Sequence, residues 1–191
     1  MLKQMKVMFG LLALLAAAVA GQASPEYDGL TPPAAVGDPT GVLSGTIDGE
    51  EFTLHSFLVE AGLPEPTNTA YFDDWSSIGA GISVDIMTQR EPAIGTTAMR
   101  GAVILDLALT SDLTLSNDGD VPDITYFESI TNGYRMTEGT LELTEVSWVD
   151  EETLAISGNF AGVFTNAMTQ ETTHIAATFS IGWISQVTNA F

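Results

Sequence analysis

A single all-β domain, an antiparallel β-sandwich or jelly-roll-like fold, is what this 191-residue chain predicts. From residue 41 onward, apolar and polar side chains alternate with the period of two that marks half-buried strands. Turn signals such as Asp48-Gly49, Asn132-Gly133 and Asp150-Glu151 punctuate the alternation. Neither a helix-period stripe nor an internal repeat competes with that pattern. The spacing gives about eight or nine strands, with a closed up-and-down β-barrel as the alternative.

The first 23 residues read differently. Lys3 and Lys6 precede an apolar run over 7–20, followed by the small-residue exits Ala18-Val19-Ala20 and Gly21-Gln22-Ala23. This is the layout of a secretory signal peptide, with cleavage expected after Ala23 or Ala20. The run is shorter than the roughly 20 apolar residues of a bilayer-spanning helix. Residues 24–40, with Pro25, Pro32, Pro33, Pro39, Gly29 and Gly37, read as an extended tether. The β domain is expected to fill 41–191.

Within it, 42–47 and 50–58 form a hairpin across Asp48-Gly49, a pair that supplies the positive φ angles of a type I′ turn. Residues 61–69, carrying Pro64 and Pro66, form a loop. Ile78, Ala80, Ile82, Val84 and Ile86 alternate with Gly79, Gly81, Ser83 and Asp85. The segment 90–101 breaks the pattern at Pro92 and Gly95. Residues 102–108 are nearly continuously apolar, which predicts a central strand covered on both faces. Residues 124–130 form a strand closed by Asn132-Gly133. Residues 140–149 and 153–164 then pair around Asp150-Glu151. The apolar parity of 140–149 switches between Leu143 and Val146, so a β-bulge is expected near Thr144-Glu145. In the last strand Ile175, Ala177, Phe179, Ile181 and Trp183 share a face.

Charge and cysteine usage narrow the partners. The whole chain carries −20, and loss of Lys3 and Lys6 with the leader leaves three arginines against 25 acidic residues, or −22. Such a polyanion repels nucleic acid and anionic membrane surfaces. Calcium, cationic protein partners and neutral glycans remain, beside a plain solvated surface in salty water. Without cysteine, the exported chain has no disulfide, no zinc-cysteine site, no thiol nucleophile and no lipoprotein-type acyl anchor. About 168 mature residues suffice for a core that holds by packing alone.

The stretch Gly139-Thr140-Leu141-Glu142-Leu143-Thr144, followed by Ile156-Ser157-Gly158-Asn159-Phe160 and a closing strand with Phe179, resembles the C-terminal hairpin of small exported bacterial β-sandwich domains of uncharacterised role. Many of those domains are lipoproteins, whose anchoring cysteine this chain lacks. The resemblance covers about a third of the mature chain and implies a fold and an envelope setting; no catalytic residue is carried over from it.

Of the local motifs, Asn117-Asp118-Gly119-Asp120-Val121-Pro122-Asp123 is the sharpest. Calcium takes six to eight oxygens, and alternating carboxylates in a short turn supply them. The wording resembles the turns of calcium-binding thrombospondin-type repeats, which occur in tandem, whereas this one stands alone. As a metal loop its ligands would be Asn117, Asp118, Asp120 and Asp123. The same residue types also build ordinary turns, and both readings stay open. An EF-hand fails, because Thr114 and Thr125 fall at its first and twelfth positions.

Asp73-Asp74-Trp75, beside Tyr71 and Phe72, is the best of the paired acids, with Trp75 suited to stack a sugar ring. Adjacent strand residues point to opposite faces, however, so the pairing creates no catalytic dyad. Neither His55 nor His174 has a G-x-S-x-G elbow to serve, and both are expected at the surface or an edge. Arg90 and Arg100 are expected to be ion-paired.

These readings converge on an exported, non-catalytic domain with a structural or ligand-binding role, periplasmic or extracellular, with calcium as a stabilising ion in one version. The alternatives are a glycan-active enzyme using carboxylates and a lipocalin-like carrier with an apolar cavity. An outer-membrane barrel would need aromatic girdles that four tyrosines do not supply. Oligomeric state is left open.

Overall fold

Asp48 and Gly49 turn the chain where their dipeptide predicts, with φ of 50° and 88°, both in the region that a type I′ turn requires. In the computed structural model, which describes residues 35–59, 67–74, 81–92, 99–116 and 120–186, this turn joins β1 (Pro39–Ile47) to β2 (Glu50–Val59). The strands that follow are β3 (Thr67–Asn68), β4 (Ala70–Asp74), β5 (Ile82–Thr88), β6 (Ala102–Leu109), β7 (Asp123–Ser129), β8 (Asn132–Asp150), β9 (Thr153–Thr165) and β10 (Thr172–Gln186). The chain is all-β, and no helix occurs among the described residues. The ten strands among the described residues, one of them only two residues long, exceed the expected number mainly because the 61–69 loop contributes β3 and 70–74 pairs as β4.

The strands form one connected sheet in the order β3-β2-β1-β10-β4-β5-β6-β7-β8-β9, and β10 also pairs with β9, so the pairings close into a ring. The sheet is mixed: β10 meets β4 in parallel at Ser185 and Gln186, while the other pairings are antiparallel. β10 is the hub. One of its edges runs along β9 from Thr172 to Ser185, and the other serves β1 and then β4.

Alternation then does what the pattern demands. Leu43, Leu54, Phe72, Val84, Ile86, Leu105, Ile124, Ile156, Phe160, Phe164, Ile175 and Ile181 are all buried in one continuous core. Phe72 is fully enclosed and packs edge-to-face against Trp148, with ring centroids 5.5 Å apart. The β1–β2 turn is tied to the start of β10 through Asp48. Its carboxylate accepts bonds from the Thr173 hydroxyl and the His174 N–H, each 2.8 Å, and its own N–H donates to the His174 carbonyl at 2.8 Å.

Several local expectations shift. The bulge predicted near Thr144-Glu145 is present, as a register change between Leu143 and Glu145. The turn after β7 lies at Ile130 and Thr131, not at Asn132-Gly133. Gly133 instead sits within β8 opposite Phe127, whose ring would lie 3.0 Å from any Cβ placed there, so the missing side chain makes room for a ring. A register change after Ile181 flips the last strand, burying Ile184 where the pattern pointed to Trp183. β6 lies between β5 and β7 and is covered on both faces only at its start: on the outward parity Ala102 is buried and Ile104 half-buried, while Asp106 and Ala108 are exposed. β1 begins at Pro39, inside the expected tether, where the buried Thr40 hydroxyl donates to Ser56 at 2.8 Å. The leader, 24–34 of the tether, and the expected strand residues Ile78 and Ala80 lie outside the described residues.

Candidate functional site

Asp85 stands between buried Val84 and Ile86, and Asp106 between buried Leu105 and Leu107, so both carboxylates face outward from their strands. Register then brings them together. Tyr71 lies opposite Asp85, Asp85 opposite Asp106, and Asp106 opposite Asp123, forming one polar row across β4, β5, β6 and β7. Directly opposed residues in an antiparallel pair hold their Cβ atoms about 4.5–5.5 Å apart, and like charges there repel.

The row resolves this repulsion in two ways. Asp123 is neutralised by Arg135 of β8, whose guanidinium donates to its Oδ2 at 2.9 Å. Asp106 holds its proton to higher pH than a free carboxyl: it is pushed up from 3.8 to about 6 by loss of water around it, then by the hydrogen bond and charge of Asp85 and by the charge of Asp123, against the pull of Arg135. The Tyr71 hydroxyl is raised as well, by burial first and then by Asp85, Asp106 and Asp73.

A cleft of about 540 Å³ opens beside Asp106. Asp106 and Ala108 of β6 lie on one side, the segment Asp120 to Asp123 caps it, and Gly139, Thr140 and Leu141 of β8 line the far wall. A second cleft of about 520 Å³ is lined by Arg90, Arg100, Tyr126, Glu91 and Glu128. The expected pairing of Arg90 and Arg100 is not found among the described residues, where the ion pair is that of Arg135 with Asp123. Glu128, which lines the same cleft, accepts a hydrogen bond from the Asn132 side-chain amide.

The residues singled out from sequence fall as follows. Asp120 is exposed and lines the first cleft, and Asp123 begins β7 within the polar row. Asn117 and Asp118 lie outside the described residues, as does Trp75. Asp73 and Asp74 end β4 opposite Ser83 and Ile82 respectively, and so belong to opposite faces. His174 is exposed on β10, while His55 is half-buried in β2, where it exchanges 2.8 Å backbone bonds with Gln89 and packs on Phe57. Asp85 and Asp106 were not singled out. Their signal was a carboxylate at the outward parity of each of two strands, which becomes a pair only once the β5–β6 register is known.

Of the four ligands read for calcium, the described ones are Asp120, which lines the cleft, and Asp123, which holds the Arg135 guanidinium; no group of three or more His, Asp or Glu side chains converges among the described residues. No protein-family model, curated protein or solved structure matches the chain.

Proposed function

We propose that the chain is an exported, non-catalytic β domain that binds its partners from the outer, acidic face of the sheet, in the periplasm or outside the cell. The packing of the core among the described residues carries this reading. Phe72, Phe160, Phe164, Leu105, Ile124 and Ile156 occupy the space that a lipocalin-like carrier would leave for its ligand. Recognition is thereby left to the outside, where Tyr71, Asp85, Asp106, Asp123 and Arg135 form the polar row. At −22 after loss of the leader, that exterior favours cationic partners and repels nucleic acid and anionic membranes.

Glycan hydrolysis is less well supported. It needs two carboxyls about 5–5.5 Å or 6.5–9.5 Å apart. Asp73 and Asp74 belong to opposite faces, and Asp85 and Asp106 are directly opposed on neighbouring strands, a placement that leaves no cleft between the two carboxyls for a sugar ring.

Cell fractionation combined with binding to immobilised poly-lysine tests the reading. Recovery outside the cytoplasm and binding that disappears at about 0.5 M salt are expected. Cytoplasmic retention, or indifference to poly-lysine with hydrolysis of a neutral glycan, would overturn it.

A further inference from the structure

We infer that the open edge of β8 beside the first cleft docks an extended, cationic peptide segment of a partner protein, which adds a strand to the sheet. This deepens the outer-face binding reading and rests on it. β7 pairs with β8 only as far as Arg135, whereas β9 follows β8 to Asp150. Beyond Arg135, then, β8 is hydrogen-bonded along one side, and among the described residues no strand pairs with the other. A strand edge of this kind presents a row of backbone donors and acceptors to any chain that approaches in extended form.

The cleft lies along this edge. Gly139, Thr140 and Leu141 form its β8 wall, and exposed Ala108 faces it from β6. Leu115, Val121 and Leu141 offer apolar ground for every second side chain of an added strand. Asp106 and Asp120 in the cleft, with exposed Glu138 and Glu142 on β8, supply the opposite charge for lysine or arginine at the alternate positions.

Other occupants suit the edge badly. A second copy would set the same glutamates against each other between two strongly acidic chains. Residues 24–40 of this chain carry four prolines, which lack the N–H a ladder needs, and no lysine or arginine. The register changes of β8 at Met136/Glu138, Leu143/Glu145 and Trp148/Asp150 also discourage self-pairing. A cationic strand is the one that this edge does not repel.

The probe is a synthetic peptide of about nine residues alternating lysine and valine, with a control in which proline replaces valine. The alternating peptide is expected to bind at least about tenfold more tightly than the control. It should also slow hydrogen exchange of backbone amides within 137–147. Ala108→Trp, which puts an indole into the cleft from an exposed position, should weaken it about tenfold, and Asp120→Lys should weaken it too. Equal binding of both peptides without protection in β8 overturns edge docking while leaving outer-face binding intact. Protection at the β2 edge near 50–54 overturns it as well. Failure of both peptides to bind removes both proposals.

Discussion

Replacing Asp106 by asparagine should stabilise the protein at neutral pH and do nothing below about pH 4. Asp85 and Asp106 are directly opposed on β5 and β6, and Asp106 is raised from 3.8 to about 6 by desolvation, by its hydrogen bond with Asp85 and by neighbouring charge. A carboxyl whose folded pKa exceeds its unfolded value binds its proton more tightly when folded. Its contribution to stability is therefore complete below about pH 4 and is lost as pH rises through about 6. At about 1.4 kcal/mol per unit, the full shift corresponds to about 3 kcal/mol. Asp106 lies on the exposed face, where water and salt screen its neighbours, so about 1 kcal/mol is the working figure. Asparagine retains a donor for Asp85 but never ionises. Urea unfolding at about pH 4 and pH 7 should show Asp106→Asn about 1 kcal/mol more stable than wild type at the higher pH only. An equal effect at both pH values, or a loss at pH 7, would refute the raised Asp106 carboxyl.

Other perturbations separate the remaining parts of the account. Phe72→Ala empties a fully buried site against Trp148 and should cost about 3–5 kcal/mol in urea unfolding; a loss below about 1 kcal/mol would mean the site is not core. Asp48 is depressed by the backbone bond from His174 and then by the Thr173 hydroxyl, so its contribution is present above the usual carboxylate range and lost as pH falls below it. Asp48→Asn keeps the turn but weakens one of these bonds, and should lower the neutral-pH melting temperature with a flatter acid limb; an unchanged acid limb would contradict the tie. A calcium titration separates the two readings of the 117–123 loop: a rise in melting temperature would make it a metal site, and an unchanged curve would leave it a plain turn with Asp123 held by Arg135.

Features encoded within one strand or turn were legible in the sequence. Asp48-Gly49 named its own turn, and the parity switch between Leu143 and Val146 announced the bulge found at Leu143/Glu145. Features created between strands were not. Gly133 looked like a turn residue, though its use is to admit the Phe127 ring from the neighbouring strand. The apolar run 102–108 looked doubly covered, yet Asp106 marks an open face. For the site the same limit applies with more force. Adjacent acids such as Asp73 and Asp74 attract notice but point apart, whereas Asp85 and Asp106, far apart in the chain, meet only through register. Arg135 as the partner of Asp123 was hidden for the same reason.

Carbon-13 NMR titration of the aspartate side-chain carboxyls tests the polar row most directly. The account predicts Asp106 titrating near pH 6, with that late step absent from Asp106→Asn. If Asp106 titrates near its ordinary 3.8, its carboxyl is not desolvated beside Asp85 and Asp123, and the outer face is not built as described.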